Sequence, residues 1–295
     1  MTPSVSRSNR AVVIAKIVGR SALEFTIGVV LVFGVAALVG KLTPIRSLKN
    51  TDDQDLALAV LSMPILVVYA LHVRFVQRRA VADLPPRFLA GDLLEGLLIA
   101  GTVMGLSAGF LSLVGDLVVT GVAGWSHGVA MTACSALFAG VAEEVFFRGL
   151  LMRLLEQMGG TWAALVVTSV LFGCAHAGNS HVSLAGILGT SGLGLLLGAA
   201  YLATRRLWLP IALHAGWNFT MAGVFGVANS GLLQGSILTS QLKGSAWLTG
   251  GTWGFEASVE TTLLAFAFAS WFIRQVQRRG HCTTGLSALR RPSVA

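Results

Sequence analysis

The sequence predicts an all-α, polytopic membrane protein of about eight transmembrane helices. Three observations carry that expectation. Of its 295 residues 54% are hydrophobic and 12% charged, with a mean hydropathy of +0.75, where a soluble chain carries about 25% charge. Apolar runs of roughly 18 or more residues, the length a bilayer requires, recur along the chain. The runs are continuously apolar rather than alternating, which selects helices over barrel strands as the way to satisfy the backbone in lipid.

The elements follow in order. Residues 1–20 are polar and basic, with Arg7, Arg10, Lys16 and Arg20, and are expected as a cytoplasmic tail. The apolar stretch 21–40 exceeds the roughly 7–15 residues of a signal-peptide core, so it reads as a retained first helix even though Val35-Ala36-Ala37 resembles a cleavage site. Spans at 56–73 and 93–115 follow, and residues 21–128 carry no signature. Spans at 129–152, 161–177, 183–203, 207–228 and 258–273 make up a second unit, 129–275, and residues 276–295 are expected as a flexible tail. No internal repeat is visible.

Charge sets the orientation. With the N-terminus inside, all of the 21 Lys and Arg residues except Lys41, Arg46, Lys49 and Lys243 fall on the inner side. The positive-inside rule then places both termini in the cytoplasm, in the cell (inner) membrane. The net charge of +8 is accounted for by basic helix ends facing anionic lipid, so no nucleic-acid partner is expected. The three cysteines, Cys134, Cys174 and Cys282, form no CxxC pair, so neither disulfides nor a cysteine zinc site is expected.

Ionisable residues inside such spans are costly and mark function or pairing. The fourth span carries AGVAEEVFFRGLL. Glu144 and Arg148 lie four apart, acid first, the favourable order for a helical ion pair. Glu143, about 100° around the helix, is left without a local partner. The fifth span ends in LFGCAHAG, with Phe172 and His176 four apart, and the seventh begins PIALHAGWNF, with His214 and Asn218 four apart. Singly each is ambiguous, because buried histidines and amides also bridge helices. Together they supply what hydrolysis needs: a carboxylate and an imidazole to take a proton from water, and donors for an oxyanion. One glutamate and two histidines could equally hold zinc, with Glu143, His176 and His214 as ligands and a position open for water. Counting 1.5 Å per residue from the inner ends sets His214 shallower than His176 by roughly 13 Å, which conflicts with a shared water.

EEVFFRG, FGCAH and HAGWN fit EExxxR, FxxxH and HxxxN. In this order, on separate helices, they resemble the CPBP family, which holds the type II CAAX prenyl endopeptidases and the bacteriocin-processing proteins. The resemblance covers roughly residues 130–275. GGTWGFEAS, with Glu256, is a weaker match. The resemblance implies an eight-helix core with a polar intramembrane cavity open toward the cytosol, and endoproteolysis of a peptide or membrane-protein substrate. It implies that Glu143 and His176 activate water, that His214 and Asn218 bind or polarise the scissile carbonyl, and that Arg148 supports the glutamates. The family is usually labelled metalloprotease, with a divalent metal such as zinc, and a metal-free glutamate mechanism is also argued for it.

Rival readings are weaker. Gly189-Thr190-Ser191-Gly192 fits GxSG and residues 105–109 fit GxSxG, but chance matches are expected in glycine-rich packed helices, and a rhomboid-like serine mechanism through Ser191 leaves Glu143 unexplained. HExxH and GxGD are absent. A non-catalytic immunity or scaffold protein would not need the full motif set. A transporter would show repeated halves.

Overall fold

A computed structural model describes residues 7–42 and 51–285 of the chain. Helix α1 runs Arg7–Leu42 and α2 Thr51–Leu71, the latter continuing as a π-helical turn over His72–Val76; α3 is Leu89–Leu113. α4, His127–Glu144, passes through a π-helical stretch, Val145–Met152, into α5, Arg153–Gly159. α6 is Thr161–Ala175, α7 Leu184–Thr204, and α8 Trp208–Asn218, which continues into a third π-helical stretch, Phe219–Val224. A short α9, Ala246–Thr249, precedes α10, Val259–Arg278. The protein is thus an all-α membrane protein. Among the described residues four helical segments are long and apolar enough to cross a membrane: Val12–Gly34, Pro86–Leu113, His127–Gly159 and Leu184–Thr204. Val60–Val76 and Thr161–Ala175 are shorter apolar helices. The seventh and eighth expected spans fall short of this class: α8 is brief and carries His214 and Asn218, and α10 carries Glu260, Arg274 and Arg278.

Two boundaries and one added element differ from those the sequence suggests. The first helix already begins at Arg7, so residues 7–20 are helical rather than an irregular tail. The segment after α10 is anchored through residue 283: His281 Nδ1 bonds Leu202 O and the Thr283 amide donates to Thr161 Oγ1. Residues 1–6, residues 43–50 with Arg46 and Lys49, and residues 286–295 of the expected C-terminal tail lie outside the described residues. A small antiparallel pair, β1 (Leu117–Val122) and β2 (Leu238–Leu242), was not expected; it joins the loop before α4 to the loop after α8, with Leu117 opposite Leu242.

The bundle has two unlike ends. At one, three buried acids clamp linkers with arginine. Asp83 accepts from Tyr69 and Arg79, both at 2.7 Å, with Arg153 at 3.5 Å. Asp92 takes Arg206 in a two-pronged contact at 2.6 and 2.7 Å, and Glu156 takes Arg205 at 2.6 and 2.8 Å. Arg205 also donates to His281 O. At the other end, helices start on serine caps: Ser126 accepts from the Val129 amide, Ser183 from Gly186 and Ser258 from Thr261, which satisfies donors that a helix start leaves open. Here the strand pair and the bonds Ala123 N to Ile237 O and Thr132 Oγ1 to Gly235 O tie the loops together.

Close helix contact depends on glycine. A Cβ on Gly140 of α4 would stand 3.0 Å from Ile211 O and 3.1 Å from Ala215 N on α8, and one on Gly173 of α6 would collide with Ile187 O and Ser191 Oγ on α7. The small residue lets backbones approach as membrane helices commonly do. That approach sets α8 against α4 and α7 against α6, and so positions the residues described next.

Candidate active site

Between α4, α6 and α8, on the side of the serine-capped ends, lies a cavity of about 200 Å³. Glu143, Phe172, His176, His214 and Asn218 all line it. The motif residues, spread over 76 positions from Glu143 to Asn218, therefore share one space. Their carriers change register at the site: α4 turns π-helical immediately after Glu144 and α8 immediately after Asn218. Single π turns of this kind often sit at functional positions.

Glu144 and Arg148 pair beneath the cavity. Arg148 Nη1 donates to Glu144 Oε1 at 2.7 Å, and its Nη2 donates to the Gly194 carbonyl at 2.7 Å. Both side chains have no exposed surface. The guanidinium lies 4.9 Å above the Phe172 ring and 5.7 Å from that of Phe147, a cation–π arrangement that suits a desolvated arginine. His214 joins this group: its Nδ1 is 3.0 Å from Glu144 Oε1.

Glu143 points elsewhere. Its side chain is 33% exposed, its Oε2 is buried without a hydrogen-bond partner in the protein, and His176 Nε2 lies 3.9 Å away. That separation is too long for a direct hydrogen bond and fits one bridging water. His176 Nδ1 is 2.8 Å from Phe172 O. A carbonyl only accepts, so Nδ1 carries a proton, and in the neutral ring Nε2 presents its lone pair toward Glu143.

The 13 Å difference in depth expected from counting residues does not appear. The His176 and His214 rings both rest on Phe172, with centroids 5.1 and 5.6 Å from it. His176 ends α6 and its ring folds back one turn to the Phe172 carbonyl, in keeping with the N-terminal tilt of helical side chains.

Further polar residues complete the wall: Asn179, Asn229, Ser230, Gln234 and Glu256. Ser230 Oγ donates to Glu256 Oε2 at 2.6 Å, and Asn179 Nδ2 donates to Ser230 O at 3.2 Å. Only Glu256 drew attention in the sequence. The others lie on irregular loops with no spacing pattern, so nothing local marks them. Ser191 stands outside the group: its hydroxyl bonds Ile187 O at 2.8 Å, and it is not among the cavity's wall residues.

The residues present do not fit a preassembled metal site. Among the described residues no three His, Cys, Asp or Glu side chains gather as a metal-holding group. His176 Nε2 faces Glu143, while Glu144 engages His214 through Nδ1.

Comparison with known proteins covers this part of the chain. Residues 124–220 match the family described as "Type II CAAX prenyl endopeptidase Rce1-like", an interval that holds Glu143, Glu144, Arg148, Phe172, His176, His214 and Asn218 and stops short of Glu256. The chain is also similar to "Putative membrane peptidase YdiL" of Bacillus subtilis (strain 168), 28% identical over 88 residues, which is 30% of this chain and 34% of that protein. The chain thus matches about a third of the length of this curated relative. Residues 124–220, about a third of the chain, are thus similar to the Rce1-like family, and the motif residues within them gather at one cavity.

Proposed function

We propose that the protein is an intramembrane endopeptidase that cleaves a peptide bond with water activated by Glu143 and His176. The observation that carries this reading is Glu143, a carboxylate with an unpartnered buried oxygen 3.9 Å from the lone-pair nitrogen of His176 in a polar cavity. A water between them gives a proton to Glu143, and the resulting hydroxide adds to the scissile carbonyl carbon. The carbonyl π electrons move to oxygen, and that oxyanion takes hydrogen bonds from Asn218 Nδ2 and His214 Nε2–H. As the intermediate collapses the C–N bond breaks, and the proton held by Glu143 passes to the departing amine. Glu144 and Arg148 act through His214, by orienting it, rather than on substrate.

The metal-liganded alternative for Glu143, His176 and His214 supports no step here, because among the described residues no three His, Cys, Asp or Glu side chains gather as a metal-holding group. The test is cleavage by purified protein carrying Glu143→Gln, with His176→Ala beside it. Loss of turnover in a folded, membrane-inserted variant supports the reading, and full activity in Glu143→Gln overturns it. A comparison of proteins processed in a deletion strain and in a Glu143→Gln strain identifies the substrate.

A further inference from the structure

The two ends of the bundle differ in charge as sharply as in construction. Arg74, Arg78, Arg79, Arg87, Arg153, Arg205, Arg206, Arg274, Arg278 and Arg279 all belong to the end clamped by Asp83, Asp92 and Glu156. In the described loops of the other end, 114–126, 177–183 and 225–258, Lys243 is the single Lys or Arg. The catalytic cavity communicates with this second end. Asn179, Asn229, Ser230, Leu232, Gln234 and Glu256 reach it from those loops. Leu232, 53% exposed, carries the wall out to the surface.

The way toward the arginine end is filled. Phe172 floors the cavity, and Arg148, Val145 and Met152 follow behind it on α4 and its π-helical continuation, all without exposed surface. The Arg148 bond to Gly194 O closes the gap to α7. A polypeptide therefore has an entrance at the loop end and none through the arginine end.

We infer that the cavity opens on the face away from the cytoplasm, and that its substrate is a polypeptide segment presented at that outer face. Lys and Arg near span ends are retained on the cytoplasmic side, where anionic lipid attracts basic residues near the surface. Inverting the molecule to turn the cavity toward the cytosol, as the family resemblance implies, would carry the whole arginine cluster outward. For this chain the charge and the cytosolic mouth are incompatible, and the charge involves many residues. The rim suits an extended, uncharged stretch of chain: Asn179, Asn229 and Gln234 offer amides for backbone hydrogen bonds, beside exposed Leu232 and Leu233. The substrate class rests on the endopeptidase reading; the direction of the opening does not.

The experiment uses full-length protein in which Cys134, Cys174 and Cys282 are replaced by alanine, with one new cysteine at a time. Leu233→Cys reports the loop end and Gln277→Cys the arginine end, both exposed positions. With a membrane-impermeant maleimide, Leu233→Cys should label in intact cells and Gln277→Cys only after permeabilisation. The reverse pattern overturns the inference while leaving hydrolysis by Glu143 intact. A fluorogenic peptide mixture is then given to right-side-out and inside-out vesicles of the native protein. Cleavage in right-side-out vesicles is expected, and cleavage confined to inside-out vesicles overturns the inference. Absence of cleavage in either vesicle and in detergent rejects the endopeptidase reading instead, and the labelling pattern alone then decides the direction of the opening.

Discussion

His214 Nδ1 stands 3.0 Å from Glu144 Oε1, the same oxygen that accepts a 2.7 Å hydrogen bond from Arg148. One carboxylate oxygen thus neutralises a fully buried guanidinium and orients an imidazole across 70 residues of chain. Removing one partner of such a buried pair leaves an uncompensated charge, at a cost of about 3–5 kcal/mol. Arg148→Ala should therefore melt well below the native protein in detergent. Glu144→Met with Arg148→Leu removes both charges and should recover most of that stability. Cleavage should still fall on the order of 10–100-fold, as when the group that orients a histidine is lost. A double variant with native turnover would dissociate the pair from the site.

Glu143 and His176 line the cavity rather than the packed core, so their replacement should leave folding unchanged. Glu143→Gln and His176→Ala are each expected to lower turnover by about 100–10,000-fold, the range for general acid–base groups. Helical content by circular dichroism and the melting temperature should match the native protein. Single-turnover cleavage makes the comparison, because it separates chemistry from product release.

His214 Nδ1 faces a carboxylate oxygen and so carries its proton toward Glu144. Its Nε2 can then donate to an oxyanion only while the ring is an imidazolium. Turnover should decline on the alkaline side as His214 loses that proton. In His214→Gln, whose amide donates at any pH, the alkaline limb should vanish although the rate is lower throughout. A pH–rate profile of the two proteins decides; an unchanged limb would assign it to another group.

Gly173 lies where a side chain would strike Ile187 O and Ser191 Oγ. Gly173→Val is expected to cost about 1–3 kcal/mol through overpacking and to displace His176 three residues on, lowering both melting temperature and cleavage. Ser191→Ala, by contrast, removes only a bond to Ile187 O and should keep native turnover. A large loss in Ser191→Ala with an unaltered melt would revive a serine nucleophile.

Metal dependence is separable from these effects. Cleavage by chelator-treated protein, measured beside its metal content by elemental analysis, is expected to persist without bound metal. Loss of activity that zinc restores would recast Glu143, His176 and His214 as ligands.

The sequence by itself determined the class of the molecule and singled out the candidate site residues. Long apolar runs admit only backbone-satisfied helices, and a charge among them stands out because its burial is costly. EEVFFRG, FGCAH and HAGWN were therefore legible as local i, i+4 pairs. Other buried acids were less so: Asp92 sits one residue before the third expected span, and Asp83 lies in a linker. Only the tertiary structure decided that His214 bonds Glu144 while His176 faces Glu143, that both rings share the depth of Phe172, and that Asn179, Asn229, Ser230 and Gln234 reach the same cavity. Helical periodicity fixes which residues share a face of one helix. The relative depth and rotation of neighbouring helices come from close contacts such as those at Gly140 and Gly173, and these depend on surfaces that meet only after the chain has folded.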